Sequence, residues 1–464
     1  MWKYASILIL SILISSYVHA QKYQSVSQVD KETFELYQKQ QWKQLIVIGE
    51  KSIEQGIDFY YLRLRMGIAY YNMKNYRKSA VFFQKLSQQN PEDKSIKEYL
   101  YFSYLLGDRS MDAIRMQNEL PQTIREKYGI DKIEFISGIY AETKYEFLDD
   151  YTINSDQIQQ QTVRKQFHHY SLGLNHQVGK RIALFHAYSL VDLKNLTVSE
   201  GISFDEEVHQ NQYYLKSSFQ LGYGTKLVFS GHWVQTKVKG YPFTIETTTE
   251  AVLLPLQLKE NGNGGNGNGA GGSENGGNGD SGAMVEIYPY ANTQNSFIGY
   301  MGLQQDISNW KVSVGLLYYD TNDLSRWQQE VSVRFYPLGN LKFYMNGRFT
   351  NQMEEKLDGG WLNRRYWNGG LGFQLAKNTW AQLGYSFGDM FMQVENEGYS
   401  VYNSINLVKN RGDIGLYQYI FKGKLSIFLL YQKQRERNTY MINDELNRQH
   451  INVQSIIGGI KWNF

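Results

Sequence analysis

Between Lys31 and Tyr128 apolar side chains recur at steps of three and four: Phe34, Leu36 and Tyr37, then Trp42, Leu45, Ile46 and Ile53. That is the spacing of one face of a helix. From Asp131 onward the step drops to two. Leu341, Phe343, Met345, Gly347 and Phe349 alternate with Lys342, Tyr344, Asn346, Arg348 and Thr350. Trp310, Val312, Val314, Leu316 and Tyr318 form a second such face, and Val331, Val333 and Phe335 a third. Successive strand side chains point to opposite sides, so the chain reads as a short helical segment followed by a long series of strands.

The connections between strands alternate in length. Short turns fall at Gly179-Lys180, Gly222-Tyr223-Gly224, Ile307-Ser308-Asn309, Leu338-Gly339-Asn340, Ala376-Lys377-Asn378 and Lys422-Gly423-Lys424. Longer polar stretches fall at 149–163, 199–207, 245–283, 320–325, 352–363, 389–410 and 437–448. Outer-membrane barrels alternate short periplasmic turns with long external loops and have an even strand number. The expected fold is therefore a membrane all-β protein: an antiparallel up-and-down transmembrane β-barrel of about fourteen strands, preceded by a small α-helical domain. The expected divisions are a signal peptide at 1–20, a periplasmic helical domain at 21–130 and a barrel at 131–464.

Composition narrows this picture. Aromatic residues make up 15% of 464 residues, with 37 tyrosines, yet mean hydropathy is −0.49. Interfacial girdles of Tyr and Trp around a polar lumen produce that combination. Lys3, the apolar run Ile7–Ile14 and the small-residue pattern Val18-His19-Ala20 predict an exported chain starting near Gln21. There is no cysteine, which excludes disulfides, thiolate metal sites, a cysteine nucleophile and a cysteine lipid anchor. A net charge of +3 gives no electrostatic footprint for nucleic acid. Residues 260–282, rich in Gly and Asn, fall in a long loop and have too little apolar surface to fold.

Candidate chemistry is sparse. His168 and His176 share a strand face by their even separation, but no histidine is spaced with a carboxylate as a metal pair. No G-x-S-x-G elbow occurs. No cofactor, metal or catalytic residue is expected, and the chain reads as non-enzymatic. Alternation assigns Lys311, Glu330, Arg334, Lys342 and Arg348 to the lumen, where mixed charges are expected to pair across it and narrow it.

Two segments resemble known families. From Tyr60 to Pro91, Gly67, Tyr70, Tyr76, Phe83 and Pro91 stand at the offsets of a tetratricopeptide repeat, with Ser79 at the usual alanine position. That resemblance implies a scaffold binding periplasmic or outer-membrane protein partners through residues 29–128. The C-terminus alternates Ile456, Gly458, Ile460, Trp462 and Phe464. A terminal phenylalanine with Trp462 and Ile460 before it resembles the C-terminal signal of outer-membrane proteins, which implies contact with outer-membrane lipid. The domain order is similar to surface lipoprotein assembly modifiers and to exopolysaccharide export porins, and the Tyr-, Asn-, Lys- and Gln-rich composition looks like Bacteroidota. These resemblances imply a component of surface-protein assembly or secretion machinery or, as the alternative, a transporter or exporter of polysaccharide or small solutes.

Overall fold

The computed structural model describes residues 25–130, 134–148, 160–199, 202–240, 290–321, 324–356, 359–402, 405–443 and 445–464. The expected leader at 1–20 and the Gly/Asn-rich stretch at 260–282 lie outside them. The helices are α1 (Val26–Gln38), α2 (Trp42–Glu54), α3 (Tyr60–Asn72), α4 (Tyr76–Gln89), α5 (Lys94–Leu106), α6 (Ser110–Met116) and α7 (Gln122–Tyr128). Their ends are built by side chains: Asn75 accepts the Lys78 amide to start α4, and Asp93 accepts those of Ser95 and Ile96 to start α5.

The first six helices form three hairpins. Gly67 on α3 lies against the Phe83 ring on α4, where a Cβ would stand 3.0 Å from the ring edge. Ser79 donates to the Gly67 carbonyl at 3.0 Å and meets the Ser103 hydroxyl at 3.0 Å, tying α3, α4 and α5 together. Tyr70 stacks on Phe82 and donates to Glu50, while Tyr76 meets Tyr71 edge to face. Pro91 stands two residues beyond the last turn of α4. Phe83, Leu86, Leu100 and Tyr104 belong to one buried core, and Val29, Leu45, Leu62 and Met66 to another.

The strands are β1 (Ile136–Leu148), β2 (Gln160–Val178), β3 (Ile182–Ser199), β4 (Ile202–Gly222), β5 (Thr225–Gly240), β6 (Tyr290–Ile307), β7 (Trp310–Thr321), β8 (Leu324–Phe335), β9 (Phe343–Glu355), β10 (Trp361–Ala376), β11 (Thr379–Met390), β12 (Val394–Glu395), β13 (Ser400–Val401), β14 (Leu407–Ile420), β15 (Leu425–Ile442) and β16 (Glu445–Asn463). All but β12 and β13 form one closed antiparallel barrel, a wall of fourteen strands sealed where β1 pairs β16 from Gly138↔Asn463 to Leu148↔Val453. Closure pairs every edge, the condition for strands to stand in hydrocarbon. Each of the six tight turns read from the sequence joins two consecutive wall strands.

The outer face carries an apolar band. Tyr188, Tyr213, Trp233 and Phe297 sit directly opposite one another on β3 to β6, and Phe349, Trp367 and Phe387 on β9 to β11. All point outward and none is buried. From this girdle to Leu221 on β4 is a run of eight residues, ~26 Å along a strand at ~3.3 Å per residue. With the usual tilt that fits an apolar band ~25 Å tall. Ile456, Ile460, Trp462 and Phe464 stand on the same outward face at the closing strand.

Three stretches expected as long connections are strand instead. β3 and β4 run to Ser199 and from Ile202, β7 and β8 meet at Thr321 and Leu324, and β15 and β16 at Ile442 and Glu445. Beyond the girdle the outward side chains become polar, as in Asn211, His209, Glu207 and Asp205 on β4. Polar alternation reads as loop, but backbone pairing continues where both faces meet water. Exposed pairs such as Lys194–Glu207 at 2.8 Å lie along this extension. The strand expected from Leu341 begins at Phe343. Lys342 is therefore an exposed turn residue and not a lumen charge, because Asn340 bends the chain by accepting the Lys342 amide at 2.9 Å.

The helical domain sits on the tight-turn end. Arg77 of α4 has no exposed side-chain surface. It donates to the carbonyls of Ser308 (2.7 Å), Gly107 (2.8 Å) and Trp310 (2.9 Å) and to the Asp306 carboxylate (2.5 Å). Asp112 of α6 accepts from the Gly224 amide and the Gln220 side chain, and Asn340 donates to the Lys74 carbonyl. The turns so engaged, β4–β5, β6–β7 and β8–β9, are consecutive around one half of the rim. Asp108, between α5 and α6, reaches Lys311 at 2.8 Å just inside the mouth. Lys311, the Tyr336 hydroxyl and Arg334 hold its carboxyl below the usual range against burial, which alone would raise it.

Candidate functional site

A barrel of fourteen strands lies between the eight whose interior side chains fill and the sixteen to eighteen that leave an open channel. Here the remaining space is occupied by the chain itself. After Met390 the segment 391–402 turns inward instead of looping outside, contrary to the expectation for 389–410. β12 and β13 pair within it as a small hairpin, Val394↔Val401 and Glu395↔Ser400. Its turn uses left-handed backbone at Asn396, Glu397 and Gly398, with φ of 55°, 60° and 93°.

The hairpin's backbone groups are satisfied by lumen side chains. Gln352 donates to the Phe391 carbonyl at 2.9 Å and Tyr319 to that of Met392 at 3.1 Å. Gln328 bonds both the carbonyl and the amide of Val394. Tyr214 and Ser230 donate to the Glu397 carbonyl, and His232 Nδ1 to that of Gly398 at 2.8 Å. Val394 packs among Val228, Val234, Ile298, Leu317 and Tyr319. The roots lie at β11 and β14 and the tip at β4 and β5, on the far side of the strand order, so the hairpin crosses the lumen.

Two ion pairs tether it. Arg411 on β14 reaches both Glu395 oxygens, at 2.8 and 2.9 Å, and is buried. Lys216 on β4 meets Glu397 at 3.0 Å. The charges expected in the lumen do not pair across it: Arg348 meets Glu330 on the neighbouring strand at 3.8 Å. Arg326–Glu354 at 3.0 Å and Arg164–Glu146 at 3.2 Å, which the sequence did not single out, likewise join neighbouring strands. Side chains cannot bridge a lumen this wide, so they pair along the wall and the hairpin closes the centre. Lys311 and Arg334 face Asp108 of the helical domain.

The histidines are divided by strand alternation. His168 and His176 both lie on β2 and face outward, and His176 Nε2 meets His186 Nε2 at 3.0 Å. His169 faces inward, 3.8 Å from Glu142. Among the described residues no group of three or more acidic or histidine side chains is placed to hold a metal. Sequence reasoning missed Glu395, Glu397 and Arg411. A signal was present: Met390, Phe391, Val394, Tyr399, Val401 and Tyr402 make this stretch more apolar than an exposed loop requires.

No protein-family model matches the chain, and no curated protein does. Among solved structures it is similar to the toluene transporter TodX of Pseudomonas putida, at 9% identity over 71% of this chain and 90% of that one, TM-score 0.44. It is similar at 9% identity to the CymD monoaromatic hydrocarbon channel, over 72% and 89%, TM-score 0.45. The translocator domain of the Neisseria meningitidis autotransporter NalP follows at 8%, over 78% and 99%, TM-score 0.29. Likeness at this level carries no function across, and the architecture rests on this chain's own strand order: an outer-membrane-type β-barrel with an N-terminal helical domain seated on its tight-turn rim.

Proposed function

We propose that this protein is a gated outer-membrane conduit. The helical domain faces the periplasm, as the short-turn end does in such barrels, and the inward segment 391–402 with its hairpin is the gate. One observation carries the reading: the lumen is closed by a separable segment held through side-chain hydrogen bonds and two ion pairs. Its removal would leave a wall of Gln, Ser, Tyr and paired charges that water can wet.

The test is conductance in planar bilayers. The full chain is expected to conduct rarely, and a variant with residues 391–404 replaced by a short Gly-Ser link to conduct continuously. A deletion variant that inserts, shows the heat-modifiable mobility of a folded barrel and stays silent would sink the reading.

A second role, protein docking, is favoured by the first two helices. Phe34 and Val47 are exposed there, and Leu36, Val47 and Ile48 line an open cleft with Glu32 and Lys43. We read the three hairpins as tetratricopeptide-like repeats recruiting a periplasmic partner, with Gly67 under Phe83 as the supporting contact. A partner is expected to copurify in mild detergent and to be lost from Val47→Asp; repeated recovery of the barrel alone would count against it.

A further inference from the structure

Below the hairpin, towards the tight turns, the lumen wall changes character. Tyr417 on β14 stacks with Phe428 on β15 at 5.8 Å between ring centres, and Phe428 with Tyr140 on β1 at 6.2 Å. Tyr140 meets Phe185 on β3 at 6.0 Å, and Phe185 meets Tyr214 on β4 at 6.0 Å. Five rings thus run unbroken along one side of a polar lumen. Two of them lie on glycines of the neighbouring strand. A Cβ on Gly173 would stand 2.7 Å from the Phe185 ring, and one on Gly459 would overlap Phe428. With glycine beneath, a ring lies flat on the wall and turns its other face to the lumen. Phe185, Phe428, Tyr140 and Tyr417 each keep accessible surface.

The same chamber carries unbalanced positive charge. Five cations face it: Lys216, Lys226, Lys311, Arg334 and Lys461. Lys216 pairs with Glu397, and Lys311 and Arg334 share Asp108. Among the described residues no ion pair reaches Lys226 or Lys461. Lys461 is directly opposite Tyr140 in the β1–β16 ladder, beside the ring arc, and Lys216 stands 6.0 Å over Phe185. The carboxylates around the chamber are engaged: Glu397, which acts on Lys226, pairs with Lys216, Asp306 pairs with Arg77, Glu142 accepts from Tyr140 and Asp413 stands near Arg411. The contacts of the helical domain fall on the turns from β4 to β9, whereas most of the ring arc is on β14, β15, β1 and β3.

We propose that this chamber binds small carboxylates built on a six-membered ring with an apolar face, the chemistry shared by an aromatic acid, through its π face, and a sugar acid, through its C–H face. The rings stack on the ligand's face, and Lys461, beside the arc, takes its carboxylate. The assignment deepens the conduit reading and rests on it for its purpose, by naming what the conduit selects.

The test is equilibrium binding by saturation-transfer NMR and calorimetry on the full chain in detergent, with benzoate, glucuronate, benzyl alcohol and glucose as probes. At least one acid is expected to bind at least about tenfold more tightly than its neutral counterpart. Lys461→Gln should remove that preference; Phe428→Leu should weaken acid and neutral probe together. Heat-modifiable mobility checks that each variant is folded. Binding of benzoate alone, glucuronate alone or both identifies the ligand's source. Failure of both acids to bind, or an acid preference that survives Lys461→Gln, overturns the proposal. Acid binding without conductance leaves the site standing and removes the gate; conductance without acid binding does the reverse.

Discussion

Replacing Arg77 with methionine is expected to release the helical domain from the barrel while both stay folded. The guanidinium is fully buried, its partner Asp306 retains 7% of its side-chain surface, and the Tyr336 ring covers it at 4.3 Å. Without the cation, Asp306 becomes a buried carboxylate without its ion-pair partner, and the carbonyls of Ser308, Trp310 and Gly107 lose a donor. Breaking one side of a buried pair costs ~3–5 kcal/mol, enough to shift the docked population by ~10²–10³ or more. The fold of the helical domain should survive, because Phe83 and Leu86 on the same helix pack in its own core. Hydrogen exchange in detergent should speed up at residues 306–310 and 336–342 and stay slow within α3 to α5. The double variant Arg77→Met with Asp306→Leu should recover part of the protection, since removing both charges is far milder than stranding one. Unchanged exchange at the rim in the single variant would show that the clamp contributes nothing to docking.

The second large effect is expected at the hairpin. Glu395→Gln with Glu397→Gln keeps the size of both side chains and removes both anions. Arg411 then stays buried without its ion-pair partner, with Asp413 the remaining nearby anion, a penalty of at most ~3–5 kcal/mol. The Lys216 tether contributes less, as both its partners keep about a third of their surface. The neutral hydrogen bonds from Gln352, Gln328 and Tyr319 remain, so the hairpin should be loosened and not expelled. Open probability in planar bilayers should rise by roughly one to three orders of magnitude. Chymotrypsin should cut at Tyr399 or Tyr402 in the variant and spare the parent, since both tyrosines lie within the lumen when the hairpin is seated. An unchanged conductance together with unchanged cleavage would show that the two ion pairs do not hold the gate.

The amino-acid order alone determined the broad plan. Periodicity is a local property, so the switch from a step of three or four to a step of two located the change from helix to strand near residue 131. Gly179, Gly224, Gly339 and Gly423 marked turns because left-handed backbone favours glycine, and the closing strand announced itself through Ile460, Trp462 and Phe464. What the order could not reveal are the relations between distant segments. The polar ends of β3, β4, β15 and β16 look like loops until a neighbouring strand supplies their hydrogen-bond partners. The stretch 389–410 looks like one more external loop until the width of the closed barrel leaves a space for it to fill. Arg77 meets Asp306 across 229 positions, and Tyr140 meets Phe428 only because the first and last strands close the cylinder. Side-chain contacts of that range are set by barrel circumference and strand register, which no local pattern records.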